Sequence, residues 1–209
     1  MPRLDLDVLV FDCICEHDGL SFNDEAELGQ QGGEAILGRM LPLAGKIEIA
    51  AALKHANDPG RYRFTVGHEI GHWVLHRSLF LAEAATLDLF EGRTSEEGLL
   101  TLHRDVFPGA KGGPVRREEW QANQFAIDLL IAPDLLRAEF GERFATPSIS
   151  RRQHDGRAGA VSLREHARRL AGQEFAGLPS LADTFGLSVE AMAIALEQRG
   201  YAVEDEPLL

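Results

Sequence analysis

Two histidines four residues apart, His68 and His72, constrain this chain more than any other feature of its sequence. They lie in residues 63–77, where Val66, Ile70 and Val74 recur at helical spacing. Helical residues four apart differ by about 40° around the axis and by about one turn along it. The segment therefore predicts an amphipathic helix on which both imidazoles face one point.

Glu69 directly follows the first histidine. Two imidazoles and a neighbouring carboxylate are what metal-assisted hydrolysis needs, because the ion lowers the pKa of a bound water toward about 7 and the carboxylate takes its proton. We predict His68 and His72 as metal ligands and Glu69 as the catalytic base. Zn²⁺ is the expected cofactor, and Mn²⁺ or Fe²⁺ suit the same ligands.

Gly67 and Gly71 interrupt this helix, where each costs about 1 kcal/mol relative to alanine. Such a cost indicates a compensating role. Close approach of another backbone beside the metal is one explanation, and ordinary tight core packing is the other.

A third ligand is expected from a second helix, predicted over residues 115–131, on which Glu119, Asn123 and Ala126 share a face. The small Ala122 and Ala126 would let the two helices pack closely. Glu119 is the candidate ligand, and Asn123 is placed to hydrogen-bond a ligand histidine. Alternatively, Glu119 is an ordinary acidic residue favoured in the first turn of a helix.

Both motifs, in this order, resemble those of the ImmA/IrrE family of metallopeptidases. The resemblance covers about residues 36–135 and rests on RFTVGHEIGHWVLH (63–76), EWQANQFA (119–126) and LLIAP (129–133). Family members commonly have alanine at the position of Gly67, a difference that leaves the ligands unchanged. The first 35 residues resemble no family that we recognise.

The resemblance implies a zinc-dependent metallo-endopeptidase that cleaves a helix-turn-helix transcriptional repressor. It also implies two helices packed beside a small antiparallel sheet, with Glu119 completing the metal site. A DNA-binding or protein-binding regulator with a structural metal is the alternative function. Glu69 favours the enzyme, because a purely structural site has no use for a base beside its ligands.

We predict an α+β fold in which a small antiparallel sheet packs on the helices that carry the metal site. Residues 36–43 and 46–50 flank Ala44-Gly45 and predict two short antiparallel strands, the second a candidate edge for an extended substrate. The turn signal at 57–60 and a second amphipathic segment at 79–90 bracket the His68 helix. The predicted domains are a zincin-like peptidase domain (1–145), a linker (146–161) and a helical segment resembling a helix-turn-helix (162–209).

Other residues near the motif are harder to place. His76 lies two turns beyond His68, about 12 Å along the helix axis, too far to share its ion. We therefore interpret it as a packed or hydrogen-bonded histidine. Tyr62 or His103 could donate a hydrogen bond to the reacting carbonyl oxygen, but the sequence assigns that role to neither.

The C-terminal segment has the helix, glycine turn and helix of a helix-turn-helix, and Ser188 is a suitable N-cap for its second helix. Residues 179–209 contain six acidic residues and one arginine. Because a recognition helix relies on Lys or Arg to contact phosphates, this charge favours a packing or protein-binding role over direct DNA binding. Residues 151–169 contain six arginines and two acids, most simply a solvated helix face.

Composition supports a cytoplasmic protein without a membrane partner. The net charge of −12 opposes attraction to nucleic acid. No run approaches the roughly 20 apolar residues that span a bilayer. Cys13 and Cys15 are the only cysteines and are too close for a disulfide framework, which fits a reducing compartment.

Overall fold

The computed structural model describes residue 10 and residues 15–31, 33–56, 58–91, 117–150 and 161–204. Helices predominate and a small sheet is present, so the predicted α+β class is confirmed. The described residues form two compact units: one takes those up to Asp58 and from Tyr62 to Ala126, and the other takes Pro59–Arg61 and those from Ile127 onward. Among the described helices, none has both the length and the apolar character that crossing a lipid bilayer requires.

The first unit contains short N-terminal elements and most of two long helices. In chain order they are α1 (Glu16–Asp18), β1 (Ser21–Ala26), β2 (Gln30–Gln31), β3 (Glu34–Ala35), β4 (Gly38–Leu41), β5 (Lys46–Ala50), α2 (Ala51–His55), α3 (Pro59–Glu91) and α4 (Arg117–Leu130). The first three residues of α3 and the last four of α4 belong to the second unit.

The main sheet has the strand order β1-β5-β4. β4 and β5 pair antiparallel, from Gly38 opposite Ile49 to Leu41 opposite Lys46, as predicted. β1, however, runs parallel to β5, so the expectation of a wholly antiparallel sheet is wrong. The long connection from β1 to β5 allows the parallel direction, whereas the four-residue turn between β4 and β5 does not. β5 is the central strand and not an edge.

Side chains alternate across this sheet, as strand geometry requires. Ile47, Ile49 and Met40 occupy one face and are buried. On the other face Glu48 forms ion pairs with Arg39 (2.6 Å) and Lys46 (2.5 Å). The apolar face therefore provides the core of this unit, and Gly38 shares that face with Met40.

α3 begins at Pro59, inside the predicted turn, and continues to Glu91. Proline suits the first position of a helix because its missing N–H has no partner there in any case. The predicted segments 63–77 and 79–90 are therefore one helix. The Tyr62 hydroxyl donates a hydrogen bond to Asp24 Oδ2 (3.0 Å), which ties α3 to β1.

The second unit contains mainly short helices. They are α5 (Pro133–Phe144), β6 (Ile149–Ser150), α6 (Leu163–Gly172), α7 (Leu181–Phe185), α8 (Val189–Gln198) and β7 (Ala202–Val203). The last three helices lie within the helical segment predicted at 162–209, and Ser162, Ser180 and Ser188 each cap one by accepting a backbone N–H, of which the Ser188 cap was predicted. α5 was not predicted, although it begins at Pro133 and proline is common at the first position of a helix.

The units part inside α4, whereas the predicted domain boundary follows residue 145. α5 belongs with the C-terminal helices because Arg143 Nη2 donates to Pro179 O and Thr184 Oγ1, both at 2.9 Å. Within the predicted linker, β6 pairs in parallel with β7, while residues 151–160 lie outside the described residues.

Candidate metal centre

His68, His72 and Glu119 converge on one point in the first unit, each contributing one potential ligand atom. His68 Nε2 lies 3.0 Å from His72 Nε2. Glu119 Oε2 is 3.4 Å from His68 Nε2, and Glu119 Oε1 is 3.6 Å from His72 Nε2. α3 therefore presents both imidazoles to the carboxylate of α4, and all three side chains are buried.

These distances fit a divalent ion. Zinc binds nitrogen and oxygen ligands at about 2.1 Å, which places two tetrahedral ligands about 3.4 Å apart. The three separations of 3.0, 3.4 and 3.6 Å, the last two measured to different oxygens of Glu119, bracket that value. If these two imidazoles and one carboxylate held zinc, a fourth position would stay available for water or substrate, as in catalytic zinc sites.

The hydrogen bond at Nδ1 of His68 determines the tautomer of the neutral ring, in which Nε2 carries no proton. Its Nδ1 lies 2.9 Å from Asn123 Oδ1, and an amide oxygen only accepts. The proton of the neutral ring is therefore on Nδ1, and the Nε2 lone pair points toward Glu119. This is the role predicted for Asn123.

A longer chain of hydrogen bonds orients His72. Gln121 Oε1 accepts from His76 Nε2 at 3.1 Å, so Nδ1 of the neutral His76 ring is an acceptor. His72 Nδ1 lies 3.1 Å from that atom and donates to it. His72 Nε2 then also carries a lone pair and no proton. Because the two Nε2 lone pairs face each other at 3.0 Å, a cation between them would be favourable.

The close approach of α3 and α4 depends on Gly71. A β-carbon at this position would lie 3.1 Å from both Cα and O of Ala122 and 3.2 Å from Cβ of Phe125. Such contacts are tighter than side chains normally tolerate, so glycine lets the Glu119 helix reach the histidines. Of the two explanations for Gly71, the approach of another backbone is the one observed.

The electrostatics of the cluster favour positive charge. Burial lowers the pKa of His68, but the Glu119 carboxylate, which accepts a hydrogen bond from the protonated ring, and the charges of Glu69 and Glu119 outweigh this, so the pKa lies above its usual 6.5. The same two carboxylates would attract a metal cation. Glu69 itself is only 1% exposed, one residue from His68 on α3.

Aromatic side chains surround the imidazoles. The Phe80 ring centroid lies 6.2 Å from that of His72 and 6.1 Å from that of His76, and the Phe64 ring lies 6.5 Å from His68. An apolar surround lowers the local dielectric, which strengthens interactions between charges and a bound cation.

His76 is hydrogen-bonded at both ring nitrogens, which agrees with its interpretation as a packed or hydrogen-bonded histidine. The Tyr62 hydroxyl is bonded to Asp24, and His103 lies outside the described residues. Gln121, which accepts a hydrogen bond from His76, was not predicted from the sequence to have a role at the site. Its pairing with His76 depends on how two helices pack, and no local spacing signals it.

Comparisons with known proteins add no family assignment. No protein-family model matches the chain, and no curated protein matches it. The resemblance to ImmA/IrrE metallopeptidases therefore stays a prediction that rests on the quoted motifs.

Proposed function

We propose that this protein is a metal-dependent endopeptidase that hydrolyses a peptide bond in a protein substrate. The observation that carries the proposal is the convergence of His68, His72 and Glu119, with Glu69 buried beside the first histidine. A site of two imidazoles and one carboxylate with a neighbouring base is suited to hydrolysis and exceeds what a structural ion needs.

His68 Nε2, His72 Nε2 and a Glu119 oxygen would hold the ion, with Zn²⁺ expected and Mn²⁺ or Fe²⁺ compatible with the same donors. When bound, such an ion acidifies a water molecule and polarises the substrate carbonyl. Asn123 and His76 hold the two imidazoles in the required tautomer through the hydrogen bonds described above.

Glu69 acts as the general base and then as the general acid. Its carboxylate accepts the proton of the attacking water as the new C–O bond forms, and it delivers that proton to the leaving nitrogen as the C–N bond breaks. Burial suits this role because it excludes competing water from the proton transfer.

Within the described residues, the two edge strands of the main sheet are β1 and β4, and β4 is the one whose Gly38 lies against Glu69. Ala50 N donates to Leu37 O (2.8 Å), so by alternation Arg39 and Leu41 also bond to β5, while Gly38 and Met40 direct their N–H and C=O outward. An extended substrate can pair with these outward groups. The edge proposed for substrate is therefore β4, in place of the 46–50 strand expected from sequence.

The resemblance to ImmA/IrrE peptidases motivates the choice of substrate, a helix-turn-helix repressor, in the cytoplasm. The competing function, a DNA-binding regulator with a structural metal, would use α8 as the recognition helix. Six consecutive residues of α8, from Ala191 to Leu196, are at most 1% exposed. A helix buried on every side is a core element and has no face to offer a DNA groove.

The charges on α8 point the same way. Glu190 and Glu197 are engaged by Arg164 of α6 at 3.0 and 2.5 Å, and Arg168 also pairs with Glu190. These arginines, part of the basic stretch noted in the sequence, are therefore occupied by intramolecular ion pairs. This favours a packing role for both helices.

Glu69→Gln tests the proposal. The variant keeps the shape of the side chain but cannot accept a proton, so cleavage of a repressor encoded beside the protein should fall by a factor of about 100 or more. Metal content, measured by elemental analysis, should stay near one equivalent. A metal-loaded variant that still cleaves would refute the assignment of the base. A salt-sensitive complex of the full chain with promoter DNA would support the regulator instead.

A further inference from the structure

Gly38 of β4 lies directly against the side chains of α3 that include the proposed base. A β-carbon built on Gly38 would lie 2.9 Å from Glu69 Oε1, 3.0 Å from Glu69 Cγ and 2.8 Å from Thr65 Cγ2. Carbon–carbon contacts normally begin near 3.5 Å. No side chain fits at this position while Thr65 and Glu69 keep their places.

Backbone conformation does not explain this glycine. Gly38 is absent from the residues with positive φ, and it pairs regularly with Ile49 in the sheet. Glycine within a strand costs about 0.5–1 kcal/mol relative to alanine, so it needs a reason. The reason visible here is space, because the neighbouring atoms belong to Glu69 and Thr65.

Glu69 has little freedom to move aside. It is 1% exposed, it sits in the middle of a long helix, and one turn before it Thr65 is also buried. The backbone of β4 thus packs against one side of the Glu69 carboxylate and forms a wall there. A substrate paired with the outer side of β4 would lie at this same wall.

We propose that Gly38 is a positioning residue for Glu69. The missing side chain lets β4 rest against the carboxylate and fixes where Glu69 takes and returns the proton. This inference rests on the proposed peptidase function for its kinetic consequence, but the contact itself can be tested without substrate.

The kinetic test is Gly38→Ala, compared with Gly141→Ala as the matched control. A β-carbon at Gly141, on α5, would meet nothing within 4 Å. Gly38→Ala should lower kcat about tenfold or more while KM and metal content stay near wild-type values, because the added methyl displaces the base and leaves the ligands in place. Gly141→Ala should cleave as the wild-type protein does. Wild-type kcat in metal-loaded Gly38→Ala would overturn the proposal.

A second variant separates Glu69 from general crowding. Gly38→Ala/Thr65→Ser removes the Thr65 methyl, the nearest of the three atoms, and leaves the contact with Glu69. We expect it to recover melting temperature relative to Gly38→Ala and to stay low in kcat. Recovery of kcat would show that the contact with Thr65 matters and that with Glu69 does not.

The third measurement needs no activity. Gly38→Ala should lower the melting temperature less in a Glu69→Ala background than in the wild-type background, since Oε1 and Cγ are then absent. Equal losses in the two backgrounds would refute the positioning of Glu69 by Gly38. A wild-type protein that binds metal but cleaves none of the candidate repressors would instead refute the proposed function, so the two failures are distinguishable.

Discussion

The Nδ1 atom of His68 lies 2.9 Å from Oδ1 of Asn123, a buried hydrogen bond between α3 and α4. Glu119 lies one helical turn before Asn123, so α4 supplies both the carboxylate beside the imidazole and the acceptor behind it. α4 therefore supplies both the third proposed ligand and the acceptor that sets the tautomer of the neutral His68 ring.

Asn123→Leu should weaken metal binding about 10- to 100-fold, because His68 loses the acceptor that keeps its proton on Nδ1. Asn123→Asp, which retains an acceptor oxygen, should bind at least as tightly as the wild-type protein. Competition with a chromophoric chelator measures both affinities. Gln124→Ala, the next position on α4, serves as the control, and equal affinities for Asn123→Leu and wild type would contradict the role of Asn123.

His76→Ala should retain one equivalent of metal at saturation but bind it more weakly, by about tenfold or more. The His72–His76–Gln121 chain then loses its middle member, while the three proposed ligands remain. Metal titration followed by elemental analysis separates affinity from stoichiometry. Loss of the bound equivalent at saturating metal would make His76 a ligand and overturn the present assignment.

The site residues could be predicted from local sequence patterns. The elements that the sequence did not predict depend on pairing between distant parts of the chain. His68 and His72 are predicted from helical spacing, Glu69 from its place beside His68, and Ser188 from capping chemistry. β1 was missed because its sequence, SFNDEA, is mostly polar and does not alternate, so only its pairing with β5 identifies it as a strand. β1 also lacks the continuous apolar run that is typical of buried parallel strands.

Gly38 illustrates the same limit at the site itself. The sequence shows only a glycine 31 positions before Glu69, with no periodicity to connect the two. Their contact exists because the β4–β5 hairpin turns its apolar face toward α3. Tertiary packing of this kind is not encoded in any short motif.

Glu48→Gln should destabilise the protein by about 1 kcal/mol at neutral pH, through lost ion pairs with Arg39 and Lys46 that are partly screened by solvent. Burial raises the pKa of Glu48, but the hydrogen bonds it accepts from Lys46 and Arg39, with their positive charges, outweigh this and hold the pKa below its usual 4.5. A carboxylate whose pKa is lower in the folded state than in the unfolded state stabilises the protein at pH values above its unfolded-state pKa. That stabilisation is lost as the pH falls through the folded-state pKa.

The stability difference between wild type and Glu48→Gln should therefore be constant above about pH 5 and shrink in more acidic buffer. Urea unfolding at a series of pH values measures it. The exposed Glu142→Gln is the control and should cost little at any pH. A difference that grows on acidification would contradict the assigned direction of the pKa shift.

The buried pair of Arg143 and Glu139 gives the sharpest stability test in the second unit. Their side chains are 1% and 10% exposed, and Arg143 Nη1 lies 2.5 Å from Glu139 Oε2. Arg143→Met should lower the free energy of unfolding by about 3–5 kcal/mol, because it leaves Glu139 charged and buried and also removes the bonds to Pro179 and Thr184.

The double variant Arg143→Met/Glu139→Leu removes both charges, so desolvation no longer opposes folding, and it should recover most of the lost stability. Chemical unfolding of the two variants and the wild type gives the comparison. If the double variant is as unstable as the single one, the cost lies in the lost bonds to Pro179 and Thr184 and not in the unpaired carboxylate.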